Sequence, residues 1–127
     1  MRFTQDSASS INVIRGYGGG ELRVNEESYR GALIVSRSAV ISEPALSTLA
    51  DLSNLDVARI LALQPELLLL GTGSRQEFPP PAFGAQFLRA GIGFEVMDTG
   101  AACRTFNVLV MENRQVVALL LPYELAK

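Results

Sequence analysis

A chain of 127 residues, 48% of them hydrophobic, can bury one core without covalent staples and is too short for two. Its net charge of -2, with lysine only at Lys127, excludes the cationic footprint that a phosphate backbone selects, so no nucleic-acid partner is expected. The lack of histidine excludes Ser-His-Asp and Cys-His catalysis and the usual zinc and non-haem iron ligand sets, and the single cysteine, Cys103, excludes an internal disulfide and fits a reducing compartment.

The chain is expected to be one domain over residues 1–127, with residues 1–9 a mobile lead-in. Residues 1–7 lack the apolar core of a secretion signal, and Asp6 is a residue that transit peptides avoid, which places the chain in the cytoplasm. The longest apolar runs, Leu67–Leu70 and Val116–Leu121, fall far short of the roughly 20 residues that a helix needs to cross a bilayer, so no transmembrane segment is expected.

In chain order, Ile11–Arg15 alternates as a strand, Gly16-Tyr17-Gly18-Gly19-Gly20 supplies a permissive turn, and Glu21–Val24 returns as the hairpin partner. The glycine cluster is not a phosphate loop, because it lacks the Gly-Lys-Ser/Thr ending and no helix follows. Asn25–Ser28 is the next turn. Gly31–Val35 and Ala39–Ile41 follow as extended segments, so the N-terminal third is expected to form a small antiparallel sheet. Glu43-Pro44 breaks it, and Ala45–Leu52 reads as loop or a short turn of helix. Ser53–Asp56 resembles a capping box ahead of a helix carrying Val57, Ile60 and Leu61 on one face, which Pro65 closes.

Leu67–Leu70, bounded by Pro65 and the Gly71-Thr72-Gly73 turn, is a short apolar run of the kind found in a central strand buried on both faces. Pro79-Pro80-Pro81 opens a helix with Phe83, Phe87 and Ala90 at helical spacing, and Gly91 ends it. Phe94–Met97 is then a second strand, parallel to the first through a right-handed crossover. Asp98-Thr99 caps a third helix running to about Asn113. On it Ala102, Phe106, Leu109 and Val110 form an apolar stripe, with Cys103 at its edge and Asn107 just beyond. Val116–Leu121, before Pro122, is the last strand.

Parallel strands bind ligands beyond their carboxyl ends, where this chain carries Gly71-Thr72-Gly73 and Asp98-Thr99-Gly100. The candidate crevice offers turn amides, the Thr72 and Thr99 hydroxyls and a helix N-terminus, with Arg75 and Arg104 in reach, a set suited to an anion or carbonyl oxygen. The same glycines also serve tight turns and the same Thr99 serves as a cap. Asn107, half-buried beside the stripe, is expected to hold the Gly71–Gly73 turn against the third helix. Asp98-Thr99-Gly100-Ala101 also reproduces an aspartic-protease signature, but the helix and strand that follow lack that fold's context. Cys103, with no histidine to activate it, is expected to be a packed cysteine. No catalytic residue, metal or cofactor is assigned.

The segment from Val96 to Leu109, with Leu67–Gly73 upstream and Arg114 before the last strand, resembles the small single-domain family that contains assembly factor three of mitochondrial respiratory complex I. Gly71, Thr72, Gly73, Asp98, Thr99, Ala102, Phe106, Asn107, Leu109 and Arg114 carry the resemblance in order. It implies a three-layer α/β fold with a mixed central sheet, flanking helices and a small N-terminal antiparallel sheet. It implies no established enzyme activity. The expected function is a non-enzymatic interaction module with a protein partner, such as a subunit of a membrane-bound respiratory or related complex. The alternative is a small-molecule or anion binder, or an enzyme of another kind, using the crevice at Thr72, Thr99, Arg104 and Asn107.

Overall fold

The computed structural model describes residues 11–125; the expected lead-in and the leader reading lie outside them. Among the described residues, eight strands and three α-helices follow one another as β1 (Ile14–Gly18), β2 (Glu21–Val24), β3 (Glu27–Arg30), β4 (Ala32–Ser36), β5 (Val40–Glu43), α1 (Ala58–Leu61), β6 (Leu67–Gly71), α2 (Pro81–Arg89), β7 (Gly93–Met97), α3 (Thr99–Met111) and β8 (Val116–Leu120). β1, β2 and β3 form an antiparallel sheet, and the order β5-β4-β8-β6-β7 builds a five-stranded mixed sheet. In the latter β6 runs parallel to both β7 and β8, while β4 runs antiparallel to β8 and β5.

Period-two alternation divides the buried strands between two cores. Leu68 and Leu70 face Ile60, Phe83 and Phe87 on the side of α1 and α2. Leu69 faces Ala102, Phe106 and Val110 of α3 on the other. The neighbouring strands keep the same parity, with Ile34, Val117 and Leu119 on the first side and Val35, Ala118 and Leu120 on the second. A strand covered on both faces has no solvent side to mark with polar residues, which is why β6 reads as unbroken leucine. The small sheet packs on the α3 side through Ile14, Leu22 and Val24, completing three layers.

Several local expectations change. β4 and β5 belong to the central sheet rather than to the N-terminal one, since β4 finds its second partner in β8, with Ile34 opposite Leu119. Part of the expected turn at Asn25–Ser28 is strand β3; the turn is tightened to Asn25 and Glu26, with Asn25 at a φ of 53° that asparagine tolerates. Gly16 and Gly18 lie inside β1, so only Gly19 and Gly20 make the first hairpin turn.

The region before β6 starts earlier than the expected cap. A 3-10 turn occupies Leu49–Asn54, where the Asp51 carboxylate accepts the backbone N–H groups of Ser47 and Thr48 at 2.8 and 3.0 Å. Those two bonds hold the Asp51 carboxyl below the ordinary aspartate range. Asp56 accepts the N–H of Ala58, and α1 is a single turn. α2 begins at Pro81, and Ala90 is its exposed C-cap rather than part of its buried face. α3 ends at Met111, and Cys103 is fully within its buried stripe while Leu109 is only partly covered.

Candidate functional site

At the carboxyl ends of β6 and β7 the polar groups are spent on one another. Thr99, fully buried, donates its hydroxyl to the carbonyl of Leu121 at 2.7 Å and accepts the N–H of Gly73 at 2.8 Å. Its own N–H donates to the carbonyl of Gly73 at 2.9 Å. One threonine thus joins the glycine turn, the start of α3 and the chain leaving β8. Thr72 donates to the carbonyl of Arg75 at 2.6 Å and accepts the N–H of Glu77, closing the loop on itself.

Asp98 caps α3 by accepting the N–H of Ala101 at 2.8 Å. The approach is close: a Cβ on Gly71 would lie 2.9 Å from both the Cα and the hydroxyl of Thr99. Glycine is required there for want of space, and Gly73, at a φ of 99°, for backbone conformation. Arg75 points away into solvent and meets Glu77 only at 3.9 Å.

Arg104 and Asn107 do not join this group. Asn107 accepts the N–H of Ile14 at 2.8 Å and donates to the carbonyl of Ile14 at 2.9 Å. Its amide therefore pairs with β1 as a neighbouring strand would, and the expectation that it holds the Gly71–Gly73 turn is corrected: Thr99 does that, and Asn107 fastens the small sheet to α3. The physical reason is placement, because Asn107 lies two turns beyond Thr99, level with the edge of β1. Arg104 donates to the Tyr17 hydroxyl at 2.7 Å.

These residues define a second locus, a cleft of about 200 Å3 between β1 and α3, lined by Arg15, Gly16, Tyr17, Cys103, Arg104 and Asn107 among others. Tyr17 is gripped on two sides. A Cβ on Gly100 would meet its ring at 2.8 Å, and Tyr123 packs edge-on against it at 4.9 Å between ring centres. The Cys103 thiol is pushed up to about 12, foremost by burial, with the Arg104 charge opposing and the Asp98 charge adding. It is a neutral thiol at neutral pH and contributes an apolar floor.

Tyr17 escaped the sequence reading because the glycine run around it reads as turn, and Arg15 because it reads only as the last residue of a strand. The signal available was the lone aromatic inside that run. Asn12 and Asn25 were also passed over; Asn25 donates to the Asn12 side chain, which in turn donates to the carbonyl of Ser36 at 2.9 Å, tying the small sheet to β4.

Away from both loci, two apolar grooves flank α2. One of about 440 Å3 lies against Leu49, Leu52, Val57 and Phe83. The other, of about 330 Å3, is bordered by Phe78, Leu88 and Phe94, of which Phe78 is 77% exposed. Among the described residues no group of three or more acidic or cysteine side chains is arranged to hold a metal ion.

Fold and site together define a three-layer α/β protein whose strand-end glycines and threonines serve packing and whose open polar groups lie beside the small sheet. Residues 14–121 match the family described as Protein of unknown function (DUF498/DUF598), and the chain belongs to that family. It is 32% identical over 122 residues, covering 95% of this chain and 99% of the relative, to the 13 kDa major membrane protein of Francisella tularensis subsp. holarctica. It is 33% identical over 120 residues, covering 93% of this chain and 68% of the relative, to NADH dehydrogenase [ubiquinone] 1 alpha subcomplex assembly factor 3 of Danio rerio. The crystal structure of an outer membrane protein from Bartonella henselae superposes with a TM-score of 0.75 at 34% identity, covering 91% of this chain and 98% of that one.

These similarities bear out the resemblance to the assembly-factor family and overturn the cytoplasmic placement, since relatives covering nearly the whole chain are named as membrane proteins. That placement rests on residues 1–7 and Asp6, and neither a leader-like pattern nor the length of the apolar runs bears on attachment to a membrane surface. Among the described residues no helix is long and apolar enough to cross one.

Proposed function

We propose that this chain is a non-enzymatic interaction module that assists assembly of a membrane-bound respiratory or related complex through a protein partner. The observation that carries this reading is the 33% identity to a complex I assembly factor over 93% of the chain. The internal use of Thr72, Asp98 and Thr99 supports it, because groups already bonded to backbone would have to break those bonds to act on a substrate. The test is deletion of the encoding gene in its native cell, with assembled respiratory complexes resolved on native gels. Loss of one assembled complex, restored by the wild-type chain and accompanied by co-purification of its subunits with the tagged chain, is the expected result. Unchanged amounts of every assembled complex would overturn the proposal. A second reading, an anion or small-molecule binder, is favoured by Arg104 and Asn107, which line an open cleft, rather than by Gly71, Thr72, Gly73 and Thr99.

A further inference from the structure

We propose that the cleft between β1 and α3 binds a small carboxylate bearing a short apolar tail, held by Arg15 and Arg104. The first observation is uncompensated positive charge in a cavity. Arg15 and Arg104 both line the cleft, no acidic side chain lines it, and neither arginine forms an ion pair with a described residue. Arg104 uses one N–H on the Tyr17 hydroxyl, which leaves most of its planar fork of donors available. The nearby Asp98 carboxylate is occupied in capping Ala101.

The second observation is that the walls are held in place without a ligand. Asn107 clamps the backbone of Ile14 on both sides, and the Tyr17 ring is wedged between Gly100 and Tyr123. Between Ile14 and Gly16 the register with β2 slips by one residue, leaving Arg15 unpaired in the ladder; such bulges re-aim a side chain at a site. A Cβ on Gly16 would meet nothing within 4 Å, so the cleft mouth is open. The walls around Ile14 and Tyr17 therefore need little further ordering on binding, and the exposed side chains of Arg15 and Arg104 supply the charge.

The third observation selects the ligand class. The lining includes Ile14 and the neutral Cys103 thiol beside the two cations. An inorganic anion would leave that apolar surface wet, whereas a carboxylate with a few methylenes covers it while its head meets the guanidiniums. The carboxylate could belong to a free short-chain acid or to the C-terminus of a polypeptide. The inference rests on the cleft alone and is separable from the assembly proposal.

The test is an NMR titration of the full chain that follows the Asn107 side-chain amide and the Gly16 backbone amide. The probes are sodium butyrate, inorganic phosphate, and a short apolar peptide with either a free or an amidated C-terminus. Saturable shifts with butyrate, or with the free-acid peptide and not its amide, are expected, and they assign the free acid or the chain end respectively. Arg104→Gln and, separately, Arg15→Gln should each weaken binding about tenfold while leaving the rest of the spectrum in place, as loss of one charged hydrogen-bonding partner predicts. Absence of saturation by any carboxylate up to about 10 mM, phosphate binding as tight as the carboxylates, or unchanged affinity in both variants would overturn the proposal.

Discussion

The strand ends and the β1–α3 cleft contain similar polar chemistry, yet only one of them has donors to spare. At the strand ends, hydroxyls and turn amides sit where three chain segments leave the sheet ladder, and each backbone group released there needs a partner. Thr99 and Thr72 supply those partners from within, so the locus closes. In the cleft, Asn107 satisfies the N–H and carbonyl of Ile14, Arg104 spends one N–H on Tyr17, and neither Arg15 nor Arg104 meets an acidic partner among the described residues. Polar residues at the carboxyl end of a parallel sheet therefore mark a ligand site only when the loops there do not consume them.

This contrast can be broken most sharply at Thr99. Thr99→Val keeps the shape and strands the Gly73 N–H and the Leu121 carbonyl in a buried place, so it should cost about 3 kcal/mol in urea unfolding, the sum of two modest desolvation penalties. A loss under about 1 kcal/mol would mean that the strand ends are not locked, and would reopen them as a crevice.

Asn107→Leu should cost less, about 2 kcal/mol, because the Ile14 groups it abandons are only part-buried and water can reach them. Hydrogen exchange sharpens the comparison: the variant should lose protection in β1 and β2 while the amides of Gly73 and Leu121 keep theirs. Equal loss at both places would show that the two loci are one unit.

The smallest effect belongs to Glu66, an exposed carboxylate just before β6, at the opposite end of that strand from the glycine turn. The Gln115 N–H, first, and then Arg114 hold its carboxyl below the ordinary glutamate range. Its stabilisation is therefore present above the unfolded-state pKa and lost as pH falls through the lowered folded value. Glu66→Gln should flatten the acid limb of the stability curve slightly and leave the neutral plateau nearly unchanged, since exposed pairs are screened by solvent. A marked loss at neutral pH would put an exposed carboxylate on a par with the buried hydroxyl of Thr99 and undo the distinction drawn between them.

The sequence by itself determined the elements whose signals are local. Four leucines between Pro65 and Gly71 announce a doubly covered strand, Asp98-Thr99 announces a helix start, and the spacing of Ala102, Phe106 and Val110 announces the face that α3 buries. The motif residues from Leu67 to Gly73 and from Asp98 to Arg114 carried the family resemblance, and the three-layer architecture came with that resemblance. What only the tertiary structure decided are pairings between distant residues. β4 joins the central sheet because β8 offers it a hydrogen-bonding edge from the far end of the chain, and no alternation within β4 distinguishes that edge from a hairpin neighbour. Arg104 meets Tyr17 across 87 residues and Asn107 meets Ile14 across 93. Sequence periodicity shows which face of a helix carries a polar side chain, but a hydrogen bond is satisfied by whichever unpaired group packing brings within about 3 Å, and that choice is made only when the layers close.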